Sequence, residues 1–214
     1  RRPIITGFAY RTCSGPIGGP GINCGTTLVH SMRIIAGTLK GRTFFAPAGT
    51  NTRPTTDVVR EALFDALASR CSIEGAIVLD LCCGSGALSF EALSRGALAS
   101  TCIDVDPAVC KLVRASAQTL GVSEAVTVIA ADVPRVLADI ALVPTIVFYD
   151  APYALMRANQ TVAAISKMDR VPAGGMVVLE HGQSEVVLAM DGWEQSWHWQ
   201  RGGTVITMLR RLEK

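Results

Sequence analysis

The sequence predicts an α/β fold: a mostly parallel, doubly wound sheet of seven strands, preceded by a small β-hairpin. From residue 76 onward, short apolar runs alternate with helical segments in five units, the pattern of parallel strands joined by right-handed crossovers. Two strand-like runs close the chain, and the link Arg201-Gly202-Gly203 is too short for a crossover helix, so we expect an antiparallel hairpin. Trp193, Trp197 and Trp199 recur there at period two and should share one face.

Each element is indicated by its periodicity and by the residues that end it. Apolar residues alternate with basic ones around two glycines in 32–46, which predicts the first hairpin, and Thr55 or Thr56 caps a helix that reaches about residue 68. The strands predicted for the sheet are 77–79, 101–104, 126–130, 146–149, 176–179, 193–200 and 204–210, with helices over 87–95, over 107–121, from about 134 and up to about 168.

Composition divides the 214 residues into three parts. Residues 1–31, rich in Gly, Pro, Ser and Thr, predict a flexible extension, for which translation from an early start upstream of Met32 is one explanation. We interpret 32–52 as a basic hairpin appendage and 53–214 as the catalytic domain. Residues 1–70 hold nine Lys or Arg against three acids, and the remainder holds eleven against fifteen. This asymmetry favours a polyanion-binding surface in the first 70 residues, joined to a catalytic domain. The alternative is an ordinary solvated charged surface.

Several classes of protein are excluded by the same sequence. No apolar stretch reaches about eighteen residues and the first thirty residues lack a signal-peptide core, so we expect a cytoplasmic protein without a membrane span. The seven cysteines are odd in number, include an adjacent pair and lie partly in apolar segments, which favours reduced, buried thiols. The absence of CxxC and the scattering of three histidines predict no metal site.

A glycine-containing turn, Asp80-Leu81-Cys82-Cys83-Gly84-Ser85-Gly86, follows the first predicted strand of the sheet. Gly84 and Gly86 allow the backbone to approach a ligand closely, and the amides of the next helix face that ligand. A dinucleotide-binding fingerprint needs a third glycine where Ser89 stands, and the Asp80 carboxylate would be unfavourable beside an anionic pyrophosphate. An acid suits a cationic amino group, so the turn favours S-adenosylmethionine over a nicotinamide dinucleotide.

Acidic residues also end the next two predicted strands of the sheet. Asp104, with Asp106 as the alternative, is placed to accept from both ribose hydroxyls, and Asp132 is placed to meet the adenine amine. Strand-terminal acids also cap helices, which is the alternative for each of them. The cofactor-binding residues expected from the sequence are Asp80, Cys82, Gly84, Ser85, Gly86, Asp104, Asp132 and Val133.

The fourth predicted strand, Ile146 to Tyr149, stops at Asp150-Ala151-Pro152-Tyr153. We interpret this segment as a buried strand that delivers an acid, a free backbone carbonyl and an aromatic ring to the carboxyl edge of the sheet. Open α/β sheets bind their ligands at that edge. Together the three groups suit a flat base held by its exocyclic amine, whereas an ordinary strand-ending turn is the alternative.

Several segments of the chain together resemble one family. They are Met32-Arg33-Ile34-Ile35-Ala36-Gly37, Arg53-Pro54-Thr55-Thr56-Asp57 with Val59-Arg60-Glu61, Leu79-Asp80 with Gly84-Ser85-Gly86, Glu91-Ala92-Leu93-Ser94-Arg95-Gly96-Ala97 and the Asp-x-Pro-Tyr turn. From Met32 to about Arg211 the chain resembles the bacterial 16S rRNA guanine-N2 methyltransferases of the RsmD type. The resemblance implies a Rossmann-like class I methyltransferase, S-adenosylmethionine as cofactor, and a monomer acting on 16S rRNA within a small-subunit particle.

Carried over by position, the resemblance also implies roles for individual residues. The residues that it places at the reacting amine are Asp150, Ala151, Pro152 and Tyr153, and those that it places on RNA are Arg33, Lys40, Arg42, Arg53, Thr55 and Arg60. Asp150 and the Ala151 carbonyl would accept the two amine hydrogens while Tyr153 stacks on the base. The usual turn is Asp-Pro-Pro-Tyr, so Ala151 removes one fixed φ. For Arg60, pairing with Asp57 or Glu61 is the alternative.

Other functions stay open on the sequence alone. A DNA adenine-N6 or protein-glutamine methyltransferase would use the same amine-binding turn. A catalytically impaired RNA-binding module would keep the basic hairpin and carry an altered turn. A nicotinamide-dependent oxidoreductase is disfavoured, because no constellation of catalytic His, Tyr and Lys is evident.

Overall fold

The computed structural model describes residues 29–47, 57–151, 158–168, 170–185, 187 and 191–213. The strands are β1 (Val29–Arg33), β2 (Thr43–Pro47), β3 (Ile77–Leu81), β4 (Ala99–Asp104), β5 (Val126–Ala130), β6 (Ile146–Asp150), β7 (Met176–Gly182), β8 (Trp193–Arg201) and β9 (Thr204–Arg211). The helices are α1 (Asp57–Ala68), α2 (Ala87–Ser94), α3 (Pro107–Leu120), α4 (Val133–Val136) and α5 (Ala158–Met168), with a 3-10 turn at Ser123–Ala125. In the described part of the chain, no helix is long and apolar enough to cross a membrane.

The seven-stranded sheet has the order β5-β4-β3-β6-β7-β9-β8, and β1 and β2 form a separate antiparallel pair. Strands β3 to β7 run parallel to one another, whereas β9 is antiparallel to both β7 and β8. The predicted mixed sheet, its closing antiparallel hairpin and the small hairpin in front of it are therefore confirmed.

Buried side chains on the two faces of the sheet form two hydrophobic clusters. In β6, Ile146 and Phe148 belong to one cluster, whereas Val147 and Tyr149 belong to the other. Successive side chains of a strand point to opposite faces, and a parallel strand covered on both sides is apolar throughout. The hairpin and helices α1, α2 and α3 pack on the first face, and α4 and α5 pack on the second.

The expectation that the three tryptophans of the final hairpin share a face is wrong. A register shift lies between Gln195 and Trp197, where β8 has one more residue than β9. One extra residue reverses the alternation of side chains after it. Trp193 accordingly packs in the second cluster, whereas Trp197 and Trp199 pack against the first.

The basic hairpin is docked on the helices of the first face. Strand β1 begins at Val29, so residues 29–31 of the expected extension lie in the hairpin. On β2, the Arg42 guanidinium donates to the carbonyls of Leu120 and Thr119 at 2.7 Å each, which satisfies the end of α3. The Phe45 amide donates to Ser116 Oγ at 3.1 Å. The expected helix cap at Thr55 or Thr56 lies outside the described residues.

Two glycines in the turn between β1 and β2 offer a matched test of this docking. Both have positive φ, +81° at Gly37 and +82° at Gly41. A Cβ at Gly37 would lie 1.8 Å from the Ser94 carbonyl oxygen, whereas one at Gly41 would meet nothing within 4 Å.

Gly41→Ala is therefore expected to lower the free energy of unfolding by about 1–2 kcal/mol, the cost of a left-handed alanine. Gly37→Ala should lose about 1–3 kcal/mol more, because the new methyl group cannot fit against the Ser94 backbone. Urea denaturation of the two variants measures the difference. Equal losses would mean that the turn is not packed on α2.

Candidate functional site

Three acidic side chains lie at or just after the ends of β4, β5 and β6 at the carboxyl edge of the sheet, and a fourth, Asp80, is buried within β3. Burial raises the pKa of the Cys82 thiol to about 12, and the charges of Asp104, Asp80, Asp150 and Asp132 contribute to the increase in that order. The four acids come from β3, from the end of β4, from the residue before α4 and from the end of β6. Asp104, Asp132 and Asp150 thus lie at the ends of strands of one sheet, as the sequence predicts, and their charges act on Cys82.

The glycine turn after β3 has a backbone that few residues adopt. Cys82, Gly84 and Gly86 have φ values of 60°, 51° and 75°. The Cys83 amide donates to the Ile103 carbonyl at 2.9 Å and the Gly84 amide to Asp104 Oδ2 at 3.0 Å, so that β4 fixes the turn. A Cβ at Gly84 would meet no atom within 4 Å, so the turn is open there to a ligand.

Asp104 and Asp106 have different partners in the loop after β4. Besides the Gly84 amide, the Asp104 carboxylate accepts from the Asp106 amide at 3.0 Å, and a carboxylate retains further acceptor positions. Asp106, the alternative for the ribose, caps α3 by accepting from the Ala108 amide at 2.8 Å. Between the two acids, Val105 is 70% exposed. The sequence analysis missed this apolar side chain at the rim of the site, although its position between two acids was a signal.

Asp80 does not lie at the edge where the sequence analysis placed it. Strand β3 continues to Leu81, and Asp80 is paired inside the sheet with β4 and β6 and is 1% exposed. Its carboxylate accepts from the Ser89 hydroxyl at 2.5 Å and from the Ser89 amide, and Ser89 Oγ in turn accepts from Ser100 and Cys102. Through these bonds from Ser89, Asp80 holds the first turn of α2 against the sheet.

Burial raises the pKa of Asp80 from 3.8 to about 7, Asp104 adds to the increase, and the two bonds from Ser89 oppose it. The folded protein therefore binds this proton more tightly than the unfolded chain does. The resulting stability is fully present below about pH 4 and is lost as the pH rises through about 7.

Asp80→Asn is expected to flatten that pH dependence. The free energy of unfolding of the unchanged protein should fall more steeply with pH than that of the variant, by up to about 1.4 kcal/mol per pH unit. Urea denaturation between pH 4 and pH 8 compares the two proteins. Parallel curves would show that Asp80 is already ionised in the folded state.

Asp132 and Val133 differ in their exposure at the start of α4. Asp132 stands at the N-cap position without a side-chain capping bond, half-buried, and lies 4.0 Å from the Arg135 Nε. Val133 is buried in the second cluster, so its side chain serves the core. Within the described ranges, no group of three or more His, Cys, Asp or Glu could hold a metal ion.

Asp150 ends β6 and is half-buried, in register with Glu180 on β7. Ala151, the next residue, is buried. Pro152 and Tyr153 lie outside the described residues, so stacking on Tyr153 stays a prediction.

The residues expected to contact RNA have different environments. Arg33 is exposed and lies 3.3 Å from Asp57, and Lys40 is exposed. Both line a cavity of about 270 Å³ between the hairpin and α1. Arg42 is exposed but holds the end of α3, as described above. Arg53 and Thr55 lie outside the described residues.

Arg60 is not exposed for a phosphate, which corrects its expected role. Its side chain is 0% exposed, its guanidinium donates to Asp57 at 3.0 Å and to the Arg33 carbonyl, and its Nε lies 3.8 Å from Glu91. The alternative of pairing with Asp57 is therefore correct, with Glu91 in place of Glu61. Burial lowers the pKa of Arg60, and the two acids oppose that change.

A family model described as "Conserved hypothetical protein 95" matches residues 32–210. The chain belongs to this family, the RsmD type of methyltransferase.

Relatives of this RsmD-type methyltransferase come from several bacteria. The "Putative rRNA methyltransferase YlbH" of Bacillus subtilis is 35% identical over 153 residues, 70% of this chain and 82% of that protein. The "Ribosomal RNA small subunit methyltransferase D" of Escherichia coli is 39% identical over 131 residues, 61% of this chain and 65% of that protein. The solved structure of the "Putative methyltransferase yhhF" from Escherichia coli superposes with a TM-score of 0.77 and 30% identity, covering 86% of this chain and 100% of that one. The Rossmann-like methyltransferase fold is thus confirmed.

Proposed function

We propose that this RsmD-type methyltransferase transfers the methyl group of S-adenosylmethionine to the exocyclic N2 of a guanine in 16S rRNA of the small ribosomal subunit. The observation that carries the proposal is that Asp104, Asp132 and Asp150 lie at or just after the ends of β4, β5 and β6, with Asp104 bound to the Gly84 amide of the open glycine turn. Relatives that share this family are named as rRNA methyltransferases. Those names support RNA as the substrate of this chain.

The glycine turn and the neighbouring acids suit an adenosyl cofactor. The open backbone at Gly84 would receive the cofactor, Asp104 would accept from the ribose hydroxyls with its remaining lone pairs, and Asp132 would meet the adenine amine. The exposed Val105 side chain is placed to cover an apolar face of a ligand bound beside Asp104. Asp80, buried beneath the turn, would act by holding α2 rather than by touching the cofactor. When bound, S-adenosylmethionine supplies an electrophilic methyl group on a sulfonium.

The end of β6 is where the target amine would be activated. A guanine amine is a poor nucleophile because its lone pair is conjugated with the ring. Asp150 and the Ala151 carbonyl would accept its two hydrogens and favour a pyramidal nitrogen that points at the methyl group. The Asp150 carboxylate would also stabilise the positive charge that develops on the nitrogen as the new N–C bond forms and the bond from the methyl group to sulfur breaks. The thioether S-adenosylhomocysteine would then be the leaving group, and the methylated amine would lose one proton to solvent. The base must be unpaired or flipped to reach this edge.

A methyl-transfer assay across substrate classes tests the proposal. Tritiated S-adenosylmethionine is incubated with the protein and with stripped 16S rRNA, 30S particles, duplex DNA or a peptide-release factor. We expect label in the rRNA, free or in particles, and none in DNA or protein. Label in DNA or in the release factor alone would replace this function with one of the alternative amine methyltransferases.

Lys40 on the hairpin offers a separate test of RNA binding. Lys40→Gln removes one exposed cation, so it should weaken RNA binding and lower the slope of log affinity against log salt by about 0.7–0.9. Lys167→Gln on α5, which packs on the opposite face of the sheet, is the matched control and should leave the slope unchanged. Filter binding at several salt concentrations measures both. Equal slopes for the two variants would make the hairpin a purely structural element.

A further inference from the structure

The inward face of the hairpin contacts the glycine turn directly through one side chain and indirectly through an aromatic ring of α2. Met32 and Phe44 are directly opposite each other in the register of β1 and β2. The Ser85 hydroxyl donates to Met32 Sδ at 3.4 Å, and Ser85 is the central residue of the turn Gly84-Ser85-Gly86. A hairpin side chain therefore lies directly on the segment that would receive the cofactor.

The second contact runs through an aromatic pair. The rings of Phe44 and Phe90 meet edge to face with their centroids 5.1 Å apart. Phe90 in turn closes against Gly86, where an added Cβ would lie 2.9 Å from the Phe90 ring. Movement of the turn at Gly86 would thus displace Phe90 and press on Phe44, because packed rings have no free volume to absorb it.

The hairpin is also fixed to the opposite end of α2. Both oxygens of the buried Glu91 carboxylate accept hairpin amides, from Ile35 at 2.8 Å and from Ala36 at 3.0 Å. The Ser94 hydroxyl accepts from the Leu39 amide at 2.9 Å and donates to the Ala36 carbonyl at 2.5 Å. Helix α2, about 12 Å long, therefore has the glycine turn at its start and the hairpin at its end.

From these contacts we infer that Met32 and Phe44 are positioning residues through which cofactor binding at the glycine turn and RNA binding at the hairpin are coupled. The inference rests on the proposed function, since it takes S-adenosylmethionine and RNA as the two ligands. Arg33 follows Met32 directly and is exposed. A change in the turn that shifts Met32 therefore also shifts a cation on the RNA-facing side. Coupling of this kind is reciprocal: each ligand raises the affinity of the other by the same factor.

Amide hydrogen exchange of the hairpin, with and without S-adenosylhomocysteine, tests the inference without RNA. In the unchanged protein, saturating S-adenosylhomocysteine should slow exchange in the hairpin amides 29–47 by about fivefold or more. Met32→Leu keeps the side-chain volume and the Glu91 and Ser94 bonds but removes the sulfur contact. The Met32→Leu variant should keep the hydrogen-exchange protection that the hairpin has without ligand. It should lose most of the additional protection that S-adenosylhomocysteine gives. Met208→Leu, the same substitution at a buried position of β9, is the control and should behave like the unchanged protein.

The results of calorimetry and hydrogen exchange together distinguish a failure of the coupling from a failure of the proposed function. If calorimetry shows S-adenosylhomocysteine binding but the hairpin amides do not respond, the coupling is refuted and the proposed function stands. If Met32→Leu keeps the full ligand-dependent protection, the contact through Met32 is refuted. If S-adenosylhomocysteine does not bind at all, both the coupling and the proposed function are refuted. In a supporting arm, RNA affinity should rise with S-adenosylhomocysteine by the same factor as S-adenosylhomocysteine affinity rises with RNA, and both rises should shrink in Met32→Leu.

Discussion

Asp150→Ala is expected to lower kcat for methyl transfer by about a hundredfold to a thousandfold, the range for loss of a preorganised electrostatic group at a reacting centre. Asp150 ends β6 at the carboxyl edge of the sheet, and in the proposed mechanism it holds the amine and balances the charge that develops on it. Asp150→Asn should lose nearly as much, because it keeps the shape and an acceptor oxygen but not the charge. Single-turnover transfer to 16S rRNA or 30S particles measures the effect.

Two controls separate chemistry from binding and folding in that experiment. Calorimetry with S-adenosylhomocysteine should give affinities within about twofold of the unchanged protein, since Asp150 acts on the amine and not on the cofactor. Asp139→Ala, at an exposed acid after α4, should leave turnover unchanged. Unchanged turnover in Asp150→Ala would remove Asp150 from the mechanism.

Glu91→Ala is expected to lower the free energy of unfolding by about 3–5 kcal/mol, because it leaves the buried Arg60 guanidinium short of a partner. It also removes the acceptor of two hairpin amides. For a chain of this size, the loss corresponds to a decrease in Tm of about 6–20 °C. Thermal and urea denaturation measure it directly.

The control for Glu91→Ala is a substitution of Asp65, an exposed acid that pairs with Arg95, as Glu91 also does. Arg95 pairs with Glu91 at 2.9 Å and with Asp65 at 3.6 Å, and the Asp65 side chain is 70% exposed. Asp65→Ala should cost less than about 1 kcal/mol, as exposed pairs do. The double variant Arg60→Met/Glu91→Ala should recover part of the stability by removing the unpaired charge. A loss in Glu91→Ala no larger than in Asp65→Ala would contradict the buried pair.

Elements whose limits are set by local sequence could be predicted closely. Strand β5 was predicted as 126–130 and has those limits, and α3 begins at Pro107 and ends before Gly121. Proline at a first helical position and glycine just after the last one act through the backbone of their own residues. Strand β6 could also be predicted from its apolar run, because a strand buried on both faces has no polar positions to interrupt the run.

Features that depend on distant residues could not be predicted in this way. Asp80 looks like the end of a strand, but pairing with β4 and β6 on both sides extends β3 past it and buries it. The register shift in β8 exists only relative to β9, so counting residues placed the tryptophans on the wrong face. The sequence analysis also treated the hairpin as an appendage, whereas Glu91 binds it from 55 and 56 residues away.

A signal for the Glu91 contact was present in the sequence. All eight residues of α2 are buried, and Glu91 is the one ionisable residue among them. A charged residue in a fully buried helix requires a partner, since an unpaired charge is too costly to bury. The sequence could therefore have predicted that Glu91 is paired, but not that Arg60 and two hairpin amides are its partners.

The most direct test of the proposed reaction identifies the methylated nucleoside. 30S particles and free 16S rRNA are incubated with the protein and labelled S-adenosylmethionine, and the RNA is digested to nucleosides and mapped by mass spectrometry. We expect all of the label in N2-methylguanosine at one guanine, and we expect Asp150→Ala to incorporate it at about a hundredth of the rate or less under the same conditions. Label in any other nucleoside, or none in RNA that the protein binds, would contradict the proposed reaction.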